Sequence, residues 1–262
     1  MKKIICLFII TIFISSLTSC SEDQDDNFKV KLLTKVIEVN EDETTSTIDF
    51  TYDGNKIATI ESEVSLKTFT YTGNLITKIV ELDKTTQLSK TSDYIYDGDK
   101  LTSIVSSDNY SLNYTYNSNS SISCQKTTTD VNNVIILLEH GTLYFQNQNL
   151  TKFEKTLDNT GANILTKETL EFVYDKKVNP LKNITGFTKL LNYTSLFSIN
   201  NSTSRFDINS TNNLETETYI SSIVPTYKAY NYDQDGYPKE LISDKPLFET
   251  KSKNHLKSIY FY

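Results

Sequence analysis

Apolar side chains recur along this chain in two alternating patterns, and together they predict hairpins. Phe50-Thr51-Tyr52, Phe69-Thr70-Tyr71 and Tyr94-Ile95-Tyr96 each place two rings two residues apart, on one face of an extended backbone. A turn follows each: Asp53-Gly54-Asn55, Thr72-Gly73-Asn74 and Asp97-Gly98-Asp99, where Gly supplies the positive φ of a tight hairpin. The returning runs are Ile57-Ala58-Thr59-Ile60, Ile76-Thr77-Lys78-Ile79 and Leu101-Thr102-Ser103-Ile104. Their three-residue apolar spacing breaks strict alternation and predicts a bulge or a face switch. Looser copies begin at Leu143, Phe172 and Tyr230, the last with Asp235-Gly236 as its turn. Half-copies bracket the array at Leu33-Thr34-Lys35-Val36 and Leu256-Lys257-Ser258-Ile259.

The connecting segments alternate in the same way. Tyr110, Leu112, Tyr114 and Tyr116 share one face, as do Leu170, Phe172 and Tyr174. One apolar face per strand predicts antiparallel strands with one covered side and one wet side. Between 185 and 230 the repeat stops. Apolar residues at Phe187, Leu190, Leu191, Tyr193, Leu196 and Phe197 fall near helical spacing and predict a short helix covering the sheet. A polar loop or ragged strands from Asn200 to Asn213 follow, and such an insertion is a natural place for a binding surface.

These Tyr-Asp-Gly-Asn-x-Ile and Tyr-Asp-x-Asp-Gly-Tyr-Pro units resemble the YD (Rhs-type) repeat over roughly Leu33 to Tyr262. The resemblance implies strand geometry and no chemistry. Large YD proteins wind such repeats into a closed shell, whereas the hairpins here are too few for one. The expected fold is therefore all-β: an antiparallel meander of YD-repeat-like hairpins forming a curled open sheet, with one short helix or loop insertion.

The first residues carry a different signal. Lys2-Lys3, the apolar run Ile4 to Ile14 and Ser15-Ser16-Leu17-Thr18-Ser19-Cys20 have the layout of a secretory signal, with an apolar run short of the ~20 residues that span a bilayer. Leu17-Thr18-Ser19-Cys20 resembles a lipobox, which implies acylation of Cys20 and stable anchoring by more than one chain. Ser21, Glu22, Asp23, Asp25 and Asp26 follow. Anionic head groups repel this run, so it reads as a solvated tether. It is also similar to the acidic export signal of Bacteroidota surface lipoproteins. The organisation expected is a signal peptide over 1–19, a tether over 20–29 and a β domain over 30–262. The location expected is the outer membrane, lipid-anchored and facing the cell exterior, with the periplasmic face as the alternative.

Charge and cysteine usage narrow the partners. The formal net charge is −7, and losing Lys2 and Lys3 with the signal deepens it to −9. An acidic body without a basic run excludes nucleic acid as a partner. Cys6 leaves with the signal and Cys20 is committed to lipid, so Cys124 stands alone and no intrachain disulfide forms.

Candidate chemistry is thin. His140 and His255 are the only histidines, with no nucleophile motif beside either. His255 reads as a loop residue and His140-Gly141 as a turn ending the apolar run Val134 to Leu138. No ligand cluster for zinc and no phosphate-cradling loop is present, so no cofactor is expected. Glu61, Glu63, Glu215 and Glu217 read as solvated strand faces rather than a catalytic pair. Asn231, Asp233, Asp235 and Gly236 match half of a calcium loop, but the twelfth position is Ile242, where a bidentate carboxylate belongs. The reading is a non-enzymatic, lipid-anchored binding or structural protein with a protein or glycan ligand. A glycan-binding accessory of a surface uptake system is the alternative, and a carboxylate-dependent glycoside hydrolase comes third. The absence of Trp weighs against glycan stacking.

Overall fold

The computed structural model describes residues 30–159, 164–191, 210–220, 225–243 and 255–262. Cys20, the acidic run after it, and 192–197 of the expected helix lie outside the described residues. Contacts divide the chain into Met1–Val30 and Lys31–Tyr262, and every described strand belongs to the second unit.

The strands are β1 (Lys35–Asn40), β2 (Thr45–Asp53), β3 (Lys56–Glu61), β4 (Ser65–Thr72), β5 (Leu75–Asp83), β6 (Ser89–Asp97), β7 (Lys100–Ser106) and β8 (Tyr110–Tyr116). They continue as β9 (Ile122–Thr129), β10 (Ile135–Gln146), β11 (Asn149–Asn159), β12 (Ile164–Tyr174), β13 (Leu214–Tyr219), β14 (Pro225–Tyr232), β15 (Pro238–Ser243) and β16 (His255–Phe261). Each pairs antiparallel with its chain neighbour, and β16 returns to pair with β1, closing a 16-strand barrel. The open sheet expected from the sequence is thereby corrected. The two half-copies supply the closure: Lys35 lies opposite Phe261, Val36 opposite Tyr260 and Glu38 opposite Ser258. Each half-copy is a lone strand with an unpaired edge, and the two edges satisfy each other's backbone groups.

The repeat has a consistent local geometry. Gly54, Gly73 and Gly98 hold φ of 59°, 59° and 61° as the first residues of two-residue turns, the geometry in which a primed turn matches strand twist. The copy without Gly uses Asn147 and Gln148, both at positive φ. On each returning strand one residue is unopposed. Thr51 pairs with Thr59 and Tyr52 with Ile57, which leaves Ala58 as the bulge. Thr77, Thr102 and Thr151 occupy the same place in later units. Their hydroxyls donate to the carbonyls of Thr70, Ile95 and Tyr144, so the side chain fills a gap that the bulge leaves in the ladder. The bulge also turns Ile57 and Ile60, three apart, to one side, and both are buried.

That side is the barrel interior. At the end where the two-residue turns lie it is filled by Ile48, Phe50, Ile57, Phe69, Ile76, Leu101, Leu112 and their neighbours. The connection after β12 enters this end and plugs it with Leu181, Ile184, Phe187, Leu190 and Leu191, all buried in the same cluster. Phe187 has no exposed surface and its ring centroid lies 5.9 Å from that of Phe69. The plug is pinned to the wall: Tyr71 Oη donates to Thr185 O at 3.0 Å, Tyr114 Oη to Leu191 O, and the Lys189 ammonium lies 2.5 Å from Asp99. Among the described residues of the expected helix, Phe187–Lys189 forms a single 3-10 turn. It fills the barrel instead of covering a sheet from outside, because a closed barrel leaves its apolar face available only within.

The outer face is polar. Lys35 pairs with Asp49 at 3.5 Å, Lys78 with Asp93 at 3.2 Å, Lys152 with Glu154 at 2.7 Å and Lys257 with Glu240 at 3.0 Å, all on outward positions. Exposed apolar side chains such as Ile95, Val105, Val173 and Ile242 are spread among them.

Candidate functional site

Along several strands the inward positions change character from the plugged end to the opposite end. On β4, Lys67 precedes Phe69 and Tyr71. On β5, Glu81 follows Ile76 and Ile79. Lys90 and Ser92 precede Tyr94 on β6, Lys126 follows Ile122 and Cys124 on β9, and Glu168 precedes Leu170 on β12. The result is a belt inside the barrel made of Glu38, Glu81, Glu139, Glu168 and Glu217 with Lys67, Lys90, Lys126, Lys155 and Lys228. Strand register sets charges of opposite sign directly across from each other: Lys67 faces Glu81, Glu81 faces Lys90, Lys126 faces Glu139 and Lys155 faces Glu168.

Most of these charges are matched. Lys67 is buried and lies 3.1 Å from Glu81. Burial pushes its ammonium below the usual lysine range, and Glu81 partly restores it. Lys155 lies 2.9 Å from Glu168, and Lys90 lies 2.5 Å from Asp108. Other groups are not matched. One carboxylate oxygen of Glu38, one of Glu139 and the hydroxyl of Tyr94 are buried without a hydrogen-bond partner. A buried acceptor or donor left unmade costs about 1–3 kcal/mol, so these groups are where the belt is least satisfied from within the protein.

The tyrosines do not form an open stacking platform. Lys90 and Lys126 place their ammonium groups 5.3 and 4.6 Å from the Tyr110 ring centroid. Lys56 lies over Tyr71, Lys100 over Tyr116 and Lys152 over Tyr144. A groove of about 400 Å³ runs over β7 to β10, lined by Ser103, Val105, Ser111, Asn113, Thr127 and Ile135 among others.

The residues singled out from sequence lie elsewhere. The turn residues Asp53, Gly54, Gly73, Asn74, Asp97 and Gly98 are at the plugged end, remote in register from the belt. Asp235 and Gly236 belong to the turn between β14 and β15, where Gly236 has φ 81°. There the half calcium loop is closed by a lysine: Lys31 Nζ lies 2.6 Å from Asp233 and 2.5 Å from Asp235. Burial raises the Asp233 carboxyl, and Lys31 with the Tyr237 and Asp235 amides more than offsets this. Among the described residues no group of His, Cys, Asp and Glu has the arrangement of a metal site.

Two local readings are corrected. His140-Gly141 is not a turn but lies within β10, opposite Thr156 and Lys155. Gly141 is there because a Cβ would sit 2.4 Å from Glu154 O and 2.7 Å from the Phe153 ring, the close approach that a strand glycine permits. Glu61, Glu63 and Glu215 are exposed, but Glu217 is buried. The ladder skips Glu215, so Leu214 and Glu217 both turn inward. No motif pointed to the belt, although its signal is present in the chain. Lys67, Glu81, Lys126, Lys155 and Glu168 each continue, two residues on, the alternation that the apolar residues define.

No protein-family model matches the chain, and no curated protein matches it. Among solved structures it is similar to a porin-like protein from Bacteroides uniformis ATCC 8492, with a TM-score of 0.50 and 12% identity over 87% of this chain and 96% of that one. At that identity the likeness is one of fold. No helix among the described residues is long and apolar enough to cross a membrane, which leaves strands unaddressed.

Proposed function

We propose that this chain is a lipid-anchored outer-membrane protein that binds rather than catalyses, with its barrel standing in water and its charged interior belt as the binding region. The observation that carries this is the polarity of the wall. A barrel that spans a bilayer turns an apolar band ~25 Å tall outward, and charges at its midplane cost ~2–4 kcal/mol for Lys. Here ion pairs lie outside and the apolar cluster inside. The porin-like neighbour supports the barrel architecture, and the signal and lipobox pattern around Cys20 supports the anchor. The acidic run Ser21 to Asp26 supports export to the cell exterior. Opposed carboxylates in the belt face lysines rather than each other, which disfavours a glycoside-hydrolase pair.

A glycan ligand is the second reading, favoured by the groove of hydroxyls and amides over β7 to β10. Lysines over the tyrosine faces weigh against it, because they occupy the surface on which a sugar would stack.

Cell fractionation of the Cys20→Ala protein tests the anchor and the wall together. The variant should leave the membrane fraction and remain folded without detergent. Retention after carbonate washing would mean that the strands themselves hold the bilayer, and the proposal would fail. Protease shaving of whole cells, with Glu22, Asp23, Asp25 and Asp26 replaced by Ala, tests export. Equal digestion of both proteins would refute an outward-facing signal.

A further inference from the structure

Lys126 on β9 and Glu139 on β10 are directly opposed in the barrel interior, yet they do not pair. Their neighbours in the same arrangement do: Lys155 and Glu168 close to 2.9 Å, and Lys67 and Glu81 to 3.1 Å. The Lys126 ammonium instead lies 4.6 Å from the Tyr110 ring centroid, and no carboxylate among the described residues pairs with it. Glu139 Oε1 is buried without a partner. A bulge lies immediately before Glu139, where the ladder skips Leu138, and bulges of this kind re-aim a side chain.

We propose that this corner of the belt is a site for a small zwitterion of the amino-acid class, with its carboxylate on Lys126 and its ammonium on Glu139. The two groups are cross-strand neighbours, whose Cβ atoms lie ~4.5–5.5 Å apart, a span matched by the adjacent charges of an α-amino acid. A lone anion would leave Glu139 unmet and be repelled by it. A lone cation would meet the same objection at Lys126. A neutral sugar would bury both charges unmatched, the costly arrangement.

The inference rests on the interior-binding reading above, but not on the lipid anchor. Titration calorimetry on the lipidated protein in detergent, with L-alanine, N-acetyl-L-alanine and L-alaninamide, tests it. L-alanine should bind, and each analogue missing one charge should bind at least about tenfold more weakly, a loss of ~1.4 kcal/mol. Lys126→Met should remove the preference for L-alanine over L-alaninamide, and Glu139→Gln the preference over N-acetyl-L-alanine. Equal binding of the three compounds, or binding of none, would overturn the zwitterion site. Neither result bears on the anchor, which fractionation of Cys20→Ala judges separately.

Discussion

The Tyr96 hydroxyl donates a 2.9 Å hydrogen bond to the carbonyl of Ile76, 20 residues upstream. Ile76 opens the returning strand of the preceding hairpin, next to its bulge. The relation recurs around the barrel. Tyr71 Oη accepts the amide N–H of Ile57 at 3.2 Å, and Tyr262 Oη donates to Pro238 O at 2.9 Å. In these repeats the second ring thus latches one hairpin to the one before it.

Tyr96→Phe should therefore destabilise the barrel by about 1–3 kcal/mol, since it strands a carbonyl while leaving the ring in place. Tyr71→Phe should cost more, because that hydroxyl both accepts from Ile57 and donates to Thr185. Urea unfolding of the two variants checks the order, and a neutral Tyr71→Phe would refute the latch.

Glycines at two kinds of position should respond differently. A Cβ at Gly54 meets nothing within 4 Å but sits at φ 59°, so Gly54→Val costs the left-handed strain alone, at least ~1 kcal/mol. Gly141→Ala forces a Cβ against the Glu154 carbonyl and the Phe153 ring, and overpacking of this kind costs ~1–3 kcal/mol. Crystallography of Gly141→Ala should find Phe153 displaced, while Gly54→Val should leave the barrel wall unchanged.

The plug should be part of the folding unit. Phe187→Ala empties a fully buried site against Phe69, and phenylalanine truncations in cores cost ~3–5 kcal/mol. A single unfolding transition shifted to lower urea is expected. Separate loss of the plug with the barrel transition unmoved would contradict the packing described.

Alkaline pH should unfold the protein through its phenols. Burial raises Tyr71 from 10.0 to about 12, against the opposing amide of Ile57, and it raises Tyr52, Tyr94, Tyr96 and Tyr114 also. A folded pKa above the unfolded one means that the native state binds more protons in the interval. The stability that Tyr71 contributes is complete below pH 10.0 and is lost as the pH rises through about 12, and that of the other four is lost higher still. Tyrosinate absorbance and circular dichroism should change together in that range. Ionisation of all tyrosines near pH 10 in a folded protein would show the rings to be solvated.

Strand type, turn position and inward face were legible in residues close together in the chain. Phe50 with Tyr52, Gly54, and Ile57 with Ile60 express a period, a positive φ and a bulge, all settled by steric and burial preferences within one hairpin. The belt was half legible. Lys67 stands two residues before Phe69, and Glu81 two after Ile79, but a lone strand with a charge at its end reads equally as a wet terminus.

Closure, the plug and the pairing of charges were settled by tertiary structure. Whether Val36 meets Tyr260 depends on the twist and stagger accumulated over every intervening strand, a sum that no single hairpin carries. Phe187 enters the barrel because closure makes the interior the one place its ring can leave water. Lys126 and Glu139 become neighbours through the register of β9 on β10, and they stay unpaired through a bulge there. By itself the sequence determined the hairpins and the face each strand buries, because those follow from contacts between near neighbours in the chain. The closed wall, with a charged end and a plugged end, was decided only when the first and last strands met and left the inward faces a single shared interior.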